Sequence, residues 1–292
     1  MDKHWVTGWV GAILAVGLWG VGCQSREESG APLGGGGQDL DPTIQTASPA
    51  SPDEEAIAAA AKEIASYPTL TDDNAVFFLQ DWWREHKSNP RLSLQTDSGE
   101  VVIELFDDTP VHSGNLHYKA ARNYYNPSEF VRIVPEFVVQ GGNSEDPLAQ
   151  ERRWLIGKHT LPAEFTDGLF HHRGAVAMGR TYDGNPTKRS ASYDFYIVVG
   201  RKVSAQELFK LEQEKGFTYS DQARQRYLDV GGAPHLDREH TVFGRVVEGM
   251  AVVDALASVP TDASDWPLRR LAFQMLPAEE TESEENEPAV SL

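Results

Sequence analysis

The sequence predicts a mainly β protein, a closed antiparallel barrel with an N-terminal helical extension and a helical insertion in one loop. Three observations lead there. Short strand patterns recur from Arg91 to Met275, separated by turn residues. Two helical patterns lie among them, and closing the sheet on itself removes its exposed edges. A second helical run, residues 204–230, interrupts the strand series. No period between about 20 and 50 residues recurs, so the chain is not a repeat array.

The first segment reads as an address. Trp5 to Gly22 carries no charge, Lys3 precedes it, and Gly20-Val21-Gly22-Cys23 closes it. A short apolar run ending on small residues is an export signal. The cysteine that follows it resembles a bacterial lipoprotein cleavage site, in which the Cys23 thiol receives a lipid and becomes the new N-terminus. An uncleaved anchor and a plain signal peptide are the alternatives, although five glycines make the run a poor spanning helix. Gln24-Ser25-Arg26-Glu27-Glu28 is similar to a lipoprotein surface-export signal, or simply opens the linker. Residues 23–52 are rich in Gly, Ser, Pro and Asp and read as a tether. Cys23 is the only cysteine, which excludes an internal disulfide and Cys-based zinc clusters.

Charge is unevenly spread. Residues 279–287 hold six Glu and no base, and residues 24–60 hold seven acids against Arg26. Those stretches carry −12 of the net −18, leaving the rest only weakly acidic. No basic stripe exists, so nucleic acid is not an expected partner. Residues 277–292 read as a solvated acidic tail.

Within the expected folded part, Pro52-Asp53-Glu54-Glu55 opens an alanine-rich helix to Ser66, with acids at its positive end. Thr71 to Lys87 sets Ala75, Val76, Leu79, Trp82, Trp83 and His86 on one helical face. This extension, residues 53–90, packs on the main domain or offers a docking surface. Arg91–Thr96 and Val101–Phe106 alternate about the Asp97-Ser98-Gly99 turn and form a hairpin. Thr109 caps a helix with Pro110 at its first position, running to about Asn123. Strands follow at Glu129–Val134, Phe137–Gln140, Ala175–Gly179, Phe195–Gly200 and Thr241–Val247. A helix covers Gly249–Ala257, and Leu268–Met275 closes the sheet. In the insertion, 201–233, Ser204 with Glu207 makes a capping box and Ser220 caps a second helix.

The chemistry concentrates in Phe130 to Asn143, which reads Phe-Val-Arg-Ile-Val-Pro-Glu-Phe-Val-Val-Gln-Gly-Gly-Asn. Arg132 stands alone among apolar groups, a placement that costs several kcal/mol unless the charge is paired or useful. Further islands are Gly174-Ala175-Val176-Ala177-Met178, Phe195-Tyr196-Ile197, His235-Leu236 and His240-Thr241-Val242-Phe243-Gly244. Together with Val102-Ile103-Glu104-Leu105-Phe106 and Thr109-Pro110, they resemble the cyclophilin family of peptidyl-prolyl isomerases over residues 91–276. The resemblance implies an eight-stranded barrel capped by two helices. It implies Arg132 and Gln140 as the catalytic pair, and Phe137, Val138, Tyr196, Leu236 and His240 as the proline pocket. Taken singly, Phe137, Val138 and Leu236 read as core and His240 as structural; their company with Arg132 and Gln140 points to a site.

Five positions depart from the family pattern. Val131 replaces a histidine, Met178-Gly179-Arg180 replaces Met-Ala-Asn, Asp194 replaces a glutamine and His235 replaces a tryptophan. Gly179, Arg180, Asp194 and His235 are carried as substrate-binding positions on that basis. Asp194 is expected to compete for the cation of Arg132 or Arg180. No histidine spacing matches a metal motif, and the adjacent His171-His172 side chains need not converge, so neither metal nor cofactor is expected.

Two functions follow from these readings. One is an isomerase at the cell envelope, lipid-anchored on the periplasmic face of an outer membrane or on the cell surface. Its partners would be proline-containing segments of exported proteins, and the bilayer through Cys23. The other is a binding module on the same scaffold that holds prolyl segments without turnover.

Overall fold

The computed structural model describes residues 58, 62, 64 and 66–279. The export signal (1–22), Cys23, the rest of the tether, most of the expected helix from Pro52 to Ser66 and the acidic tail from residue 280 lie outside the described residues.

Eight strands close into one antiparallel barrel. In chain order they are β1 (Arg91–Thr96), β2 (Gly99–Leu105), β3 (Ser128–Val134), β4 (Val138–Gly141), β6 (Ala175–Met178), β8 (Phe195–Val198), β9 (Val242–Glu248) and β10 (Ala272–Pro277). β5 (Thr160–Leu161) and β7 (Ser190–Ala191) pair apart as a small second sheet. Around the barrel the order is β1-β10-β3-β4-β8-β6-β9-β2. Every expected barrel strand is present. The last begins at Ala272 rather than Leu268; residues 268–271 remain irregular between the 261–267 loop and the strand.

The pleat sorts side chains between two apolar clusters. Leu92, Leu94, Val101, Ile103, Phe130, Ile133, Val139, Val176, Phe195, Ile197, Phe273 and Met275 belong to the main core. Their alternating neighbours Val138, Ala175, Ala177, Tyr196 and Val198 form a second cluster on the other face, joined by Ala233, Leu236 and Val242. Phe106, Val134, Phe137 and Leu169 pack at its edge. A strand buried on both faces reads as a continuous apolar run, as Phe195-Tyr196-Ile197-Val198 does.

Two helices pack on the barrel's main core, α2 (Pro110–Ala121) and α6 (Met250–Ala257). Thr109 precedes Pro110, but its side chain makes no cap hydrogen bond. The Glu164 carboxylate instead accepts from the backbone N–H groups of Val111 (3.1 Å) and His112 (3.0 Å), serving the helix start from a distant loop. Helix α1 (Ala75–His86) lies on α2, and Ala75, Leu79, Trp82 and Trp83 join the main core. Gly114 permits that approach, since a Cβ there would stand 2.2 Å from the Leu79 carbonyl oxygen. Helix α3 (Pro147–Ile156) was not expected from the sequence.

The insertion folds as α4 (Ala205–Lys215) and α5 (Asp221–Val230) about its own small core, which includes Leu208, Phe217, Tyr219 and Tyr227. Ser204 and Ser220 accept from the N–H groups of Glu207 and Ala223, both at 3.2 Å. The Glu207 side chain does not complete a capping box; it pairs with Arg201 at 2.6 Å. Among the described residues, no helix is long and apolar enough to cross a membrane.

Candidate active site

A β-bulge aims Arg132. Phe130 and Ile133 both face the main core although they are three residues apart, which a regular strand of period two forbids. The register between β3 and β4 shifts between Phe130 and Arg132, and the extra residue turns Arg132 to the outer face. There it lies across the ladder from Gln140. Gln140 in turn faces Tyr196, and Tyr196 faces Ala177, so one row crosses four strands. The next row, Val134–Val138–Val198, supplies an apolar wall.

The guanidinium of Arg132 lies 6.0 Å from the Phe137 ring centroid. Its side chain is 40% exposed, so it is neither buried nor surrendered to solvent. Its Nε and Nη2 donate to Asp265 Oδ2 at 3.2 and 3.1 Å. The turn before β4 presents Phe137, whose ring stacks on His235 at 5.3 Å and 28°. Pro234–Leu236 form a short 3₁₀ turn that brings Leu236 into the cluster holding Val138 and Tyr196.

His240 closes the far side. The Met178 carbonyl can only accept, so His240 Nδ1 donates to it at 3.0 Å. Burial pushes the His240 pKa down to about 4, leaving the ring neutral at pH 7. Its Nε2 therefore accepts from the Tyr182 hydroxyl at 2.9 Å. The ring meets Tyr196 edge-on at 5.6 Å. A cavity of about 240 Å³ adjoins His240 and is lined by Glu164, Phe165, Arg238 and Val242 among others.

Asp194 does not compete for either arginine. Gln140 Nε2 donates to both of its oxygens, at 2.9 and 3.0 Å. Burial raises the Asp194 pKa; the hydrogen bond from Gln140 and the charges of Arg153 and Arg132 oppose that rise without cancelling it. Gly179 leaves the room, because a Cβ there would stand 2.9 Å from Asp194 Oδ2. Arg180 is committed elsewhere. Its side chain is 4% exposed, and its Nε and Nη2 donate to the backbone oxygen and carboxylate of Glu239, both at 2.7 Å. It also stacks 4.0 Å over the Tyr182 ring. The guanidinium thus ties β6 to the 237–241 segment and is not available to a substrate backbone.

Arg132, Phe137, Gln140, Val138, Tyr196, His235, Leu236 and His240 therefore converge on one face. Cys23 lies outside the described residues. Asp265, Tyr182 and a buried chain behind Tyr196 were not picked from the sequence. In that chain the Tyr196 hydroxyl meets His171 Nε2 at 3.0 Å, and His171 Nδ1 meets Asp237 Oδ1 at 2.8 Å. Tyr219 and Tyr227 of the insertion donate to Asp237 Oδ2 at 2.6 and 2.7 Å. Burial alone would raise the Asp237 pKa, but its hydrogen bonds and the nearby His171 outweigh it and hold the carboxyl low. The insertion is in this way tied to the floor of the site. Among the described residues, no group of three or more His, Cys, Asp or Glu could hold a metal ion.

Comparison with known proteins agrees on one family. The model of the cyclophilin type peptidyl-prolyl cis-trans isomerase family matches residues 91–275. A putative bifunctional phosphatase/peptidyl-prolyl cis-trans isomerase of Streptococcus pyogenes is 34% identical over 188 residues, covering 63% of this chain. The chain spans only 37% of that relative's length. A peptidyl-prolyl cis-trans isomerase of Acinetobacter baylyi is 30% identical over 175 residues, covering 60% of this chain and 75% of the relative. A Cryptosporidium parvum cyclophilin type isomerase, crystallised in the presence of the dipeptide Ala-Pro, superposes with a TM-score of 0.45 at 19% identity. That superposition covers 64% of this chain and 98% of the other. The match to the family model over most of the chain shows that this protein belongs to the cyclophilin-type peptidyl-prolyl cis-trans isomerase family.

Proposed function

We propose that the protein catalyses cis/trans isomerisation of X-Pro bonds in other proteins. The observation that carries this is the guanidinium of Arg132, 6.0 Å from the centroid of the Phe137 ring, at the rim of the apolar face that holds Val138, Tyr196 and Leu236. Such a face accepts a proline ring, and its low polarity strengthens any charge contact made there.

The reaction needs no acid, base or nucleophile. Amide resonance gives the X-Pro bond its barrier, about 18–20 kcal/mol for peptide bonds in general. Twisting the bond localises the lone pair on the proline nitrogen. A guanidinium N–H can donate to that lone pair only while the plane is broken, so the contact favours the transition state over either ground state. Phe137, Val138, Tyr196, Leu236 and His240 hold the ring, and the Gln140 oxygen and Asp194 face the adjoining substrate backbone. No cofactor enters the scheme.

The substrates in this reading are exported proteins, and the enzyme is anchored through a lipid on Cys23. The support is the uncharged run from Trp5 to Gly22 that ends at the lone cysteine. Mass spectrometry of protein extracted from membranes tests the anchor. The expected species begins at Cys23 and carries added lipid. An unmodified Cys23 with residues 1–22 still attached defeats it.

A second reading, a prolyl-binding module without turnover, draws on one specific feature: Arg132 donates to Asp265 and not to Gln140, whose amide nitrogen serves Asp194. A proline-peptide isomerisation assay separates the two. The isomerase reading expects a wild-type rate well above the uncatalysed one, and a loss of about 10²–10³-fold in kcat/KM on Arg132→Ala. A wild-type rate equal to the uncatalysed one leaves the binding module.

A further inference from the structure

We infer that Asp265 is a positioning residue for Arg132, holding a guanidinium that its cross-strand neighbour Gln140 does not hydrogen-bond. The inference rests on the role proposed above for Arg132. A guanidinium on a flexible stem contributes to a reaction only if it is held where the charge or lone pair develops. Gln140 is the cross-strand neighbour of Arg132, and only its amide oxygen could accept from a guanidinium; no Arg132 hydrogen bond reaches it, and its amide nitrogen donates to Asp194. Among the described residues, the Arg132 side chain hydrogen-bonds to Asp265 alone.

The loop that carries Asp265 is built to deliver it. β10 pairs with β3 only at Ser128 and Glu129, so the edge of β3 beyond the bulge lacks a strand neighbour on that side. The Asp265 carbonyl takes that place, accepting from the Ile133 N–H at 2.9 Å, one residue past Arg132. Thr261 and Pro267 bridge the base of the loop. Asp262 Oδ1 accepts from the N–H groups of Ser264 (2.8 Å) and Trp266 (3.0 Å), and the Asp262 carbonyl accepts from Asp265 N–H at 3.2 Å. Asp265 itself has φ 63°, a left-handed conformation that Asn, Asp and Gly tolerate better than other residues.

The geometry of the pair fits orientation more than anchorage. Both side chains are about 40% exposed, and half-exposed ion pairs add little to stability. Nε and Nη2 converge on one carboxylate oxygen, which fixes one edge of the guanidinium and leaves Nη1 for a ligand. A planar donor fork held along one edge keeps its remaining donors in set directions.

The left-handed backbone dictates the variants. Asp265→Asn keeps shape and an acceptor oxygen but removes the charge; Asp265→Gly removes the side chain and keeps the backbone. Wild type, both variants and Arg132→Ala are assayed on one prolyl peptide, with thermal melting as a folding check and the ¹⁵N signal of the Arg132 Nε–H followed by NMR. The expected result is a graded fall in kcat, about 10-fold for Gly and smaller for Asn, with KM changed less than about twofold. The Nε–H signal should weaken or average out in the Gly variant while the melting temperature holds. A kcat for Asp265→Gly equal to or above wild type, beside an inactive Arg132→Ala, overturns the inference and leaves the role of Arg132 intact. If Arg132→Ala keeps the wild-type rate, the role of Arg132 falls separately. An Nε–H signal unchanged between wild type and Asp265→Gly then refutes the steadying contact as well.

Discussion

Asp194 carries an electrostatic cost at the residue scale. It is mostly buried, its direct partner is the neutral amide of Gln140, and burial raises its pKa. A carboxyl whose pKa is raised by folding binds its proton more tightly in the folded state. Its contribution to stability is full below the unfolded carboxylate pKa and is lost as pH rises through the folded value. At neutral pH the ionised group is therefore a net burden. Asp194→Asn keeps an oxygen for Gln140 and removes the charge, so it should raise the melting temperature at pH 7. The gain should shrink as the pH enters the carboxylate range. A lower melting temperature for the variant at pH 7 would contradict this account. Arg132 stood out in the sequence as a lone charge in an apolar run, whereas Gln140 was singled out through the family resemblance. Asp265 was not, because 133 residues separate it from Arg132 and only the folded loop brings them together. The pairing expected of Asp194 failed for a related reason: the glycine at 179 lets it turn toward Gln140.

At the scale of elements, the decisive contact outside the barrel is between α1 and α2. Replacing a helical glycine by alanine ordinarily stabilises a helix by about 1 kcal/mol. At Gly114 the added Cβ would meet the Leu79 carbonyl at 2.2 Å and the Trp83 Cβ at 3.2 Å, so the helices must separate. Gly114→Ala should then cost about 1–3 kcal/mol and lower the melting temperature by several degrees. An unchanged or raised melting temperature would mean that α1 is only a loose cover. The stripe on α1 was readable because its apolar residues keep helical spacing through Trp83. Helix α3 was missed although Asp146 caps it and Pro147 opens it. Its inward residues are Ala149, Arg152 and Ile156, while Trp154 is 84% exposed. That arrangement inverts the usual apolar stripe and hides the period.

At the scale of the whole molecule, the alternation of the strands makes two apolar layers from one sheet. The inner layer closes the barrel, and the outer layer is joined by Ala233, Leu236 and Val242, with the insertion tied in behind it through Asp237. The chain from Tyr196 through His171 and Asp237 to Tyr219 and Tyr227 couples that outer layer to the insertion. The barrel could be read from the order of its strands. The coupling could not, because its members come from four separate segments and each alone looks structural. The central claim is that Arg132 acts on the twisted prolyl amide and not on its planar forms. It is tested most directly by NMR exchange spectroscopy on an Ala-Pro peptide at equilibrium, with wild type and Arg132→Ala. The account predicts that both proteins perturb the peptide signals to a similar extent, while only wild type accelerates cis/trans exchange. Equal acceleration by the two proteins, or none by wild type, would contradict it.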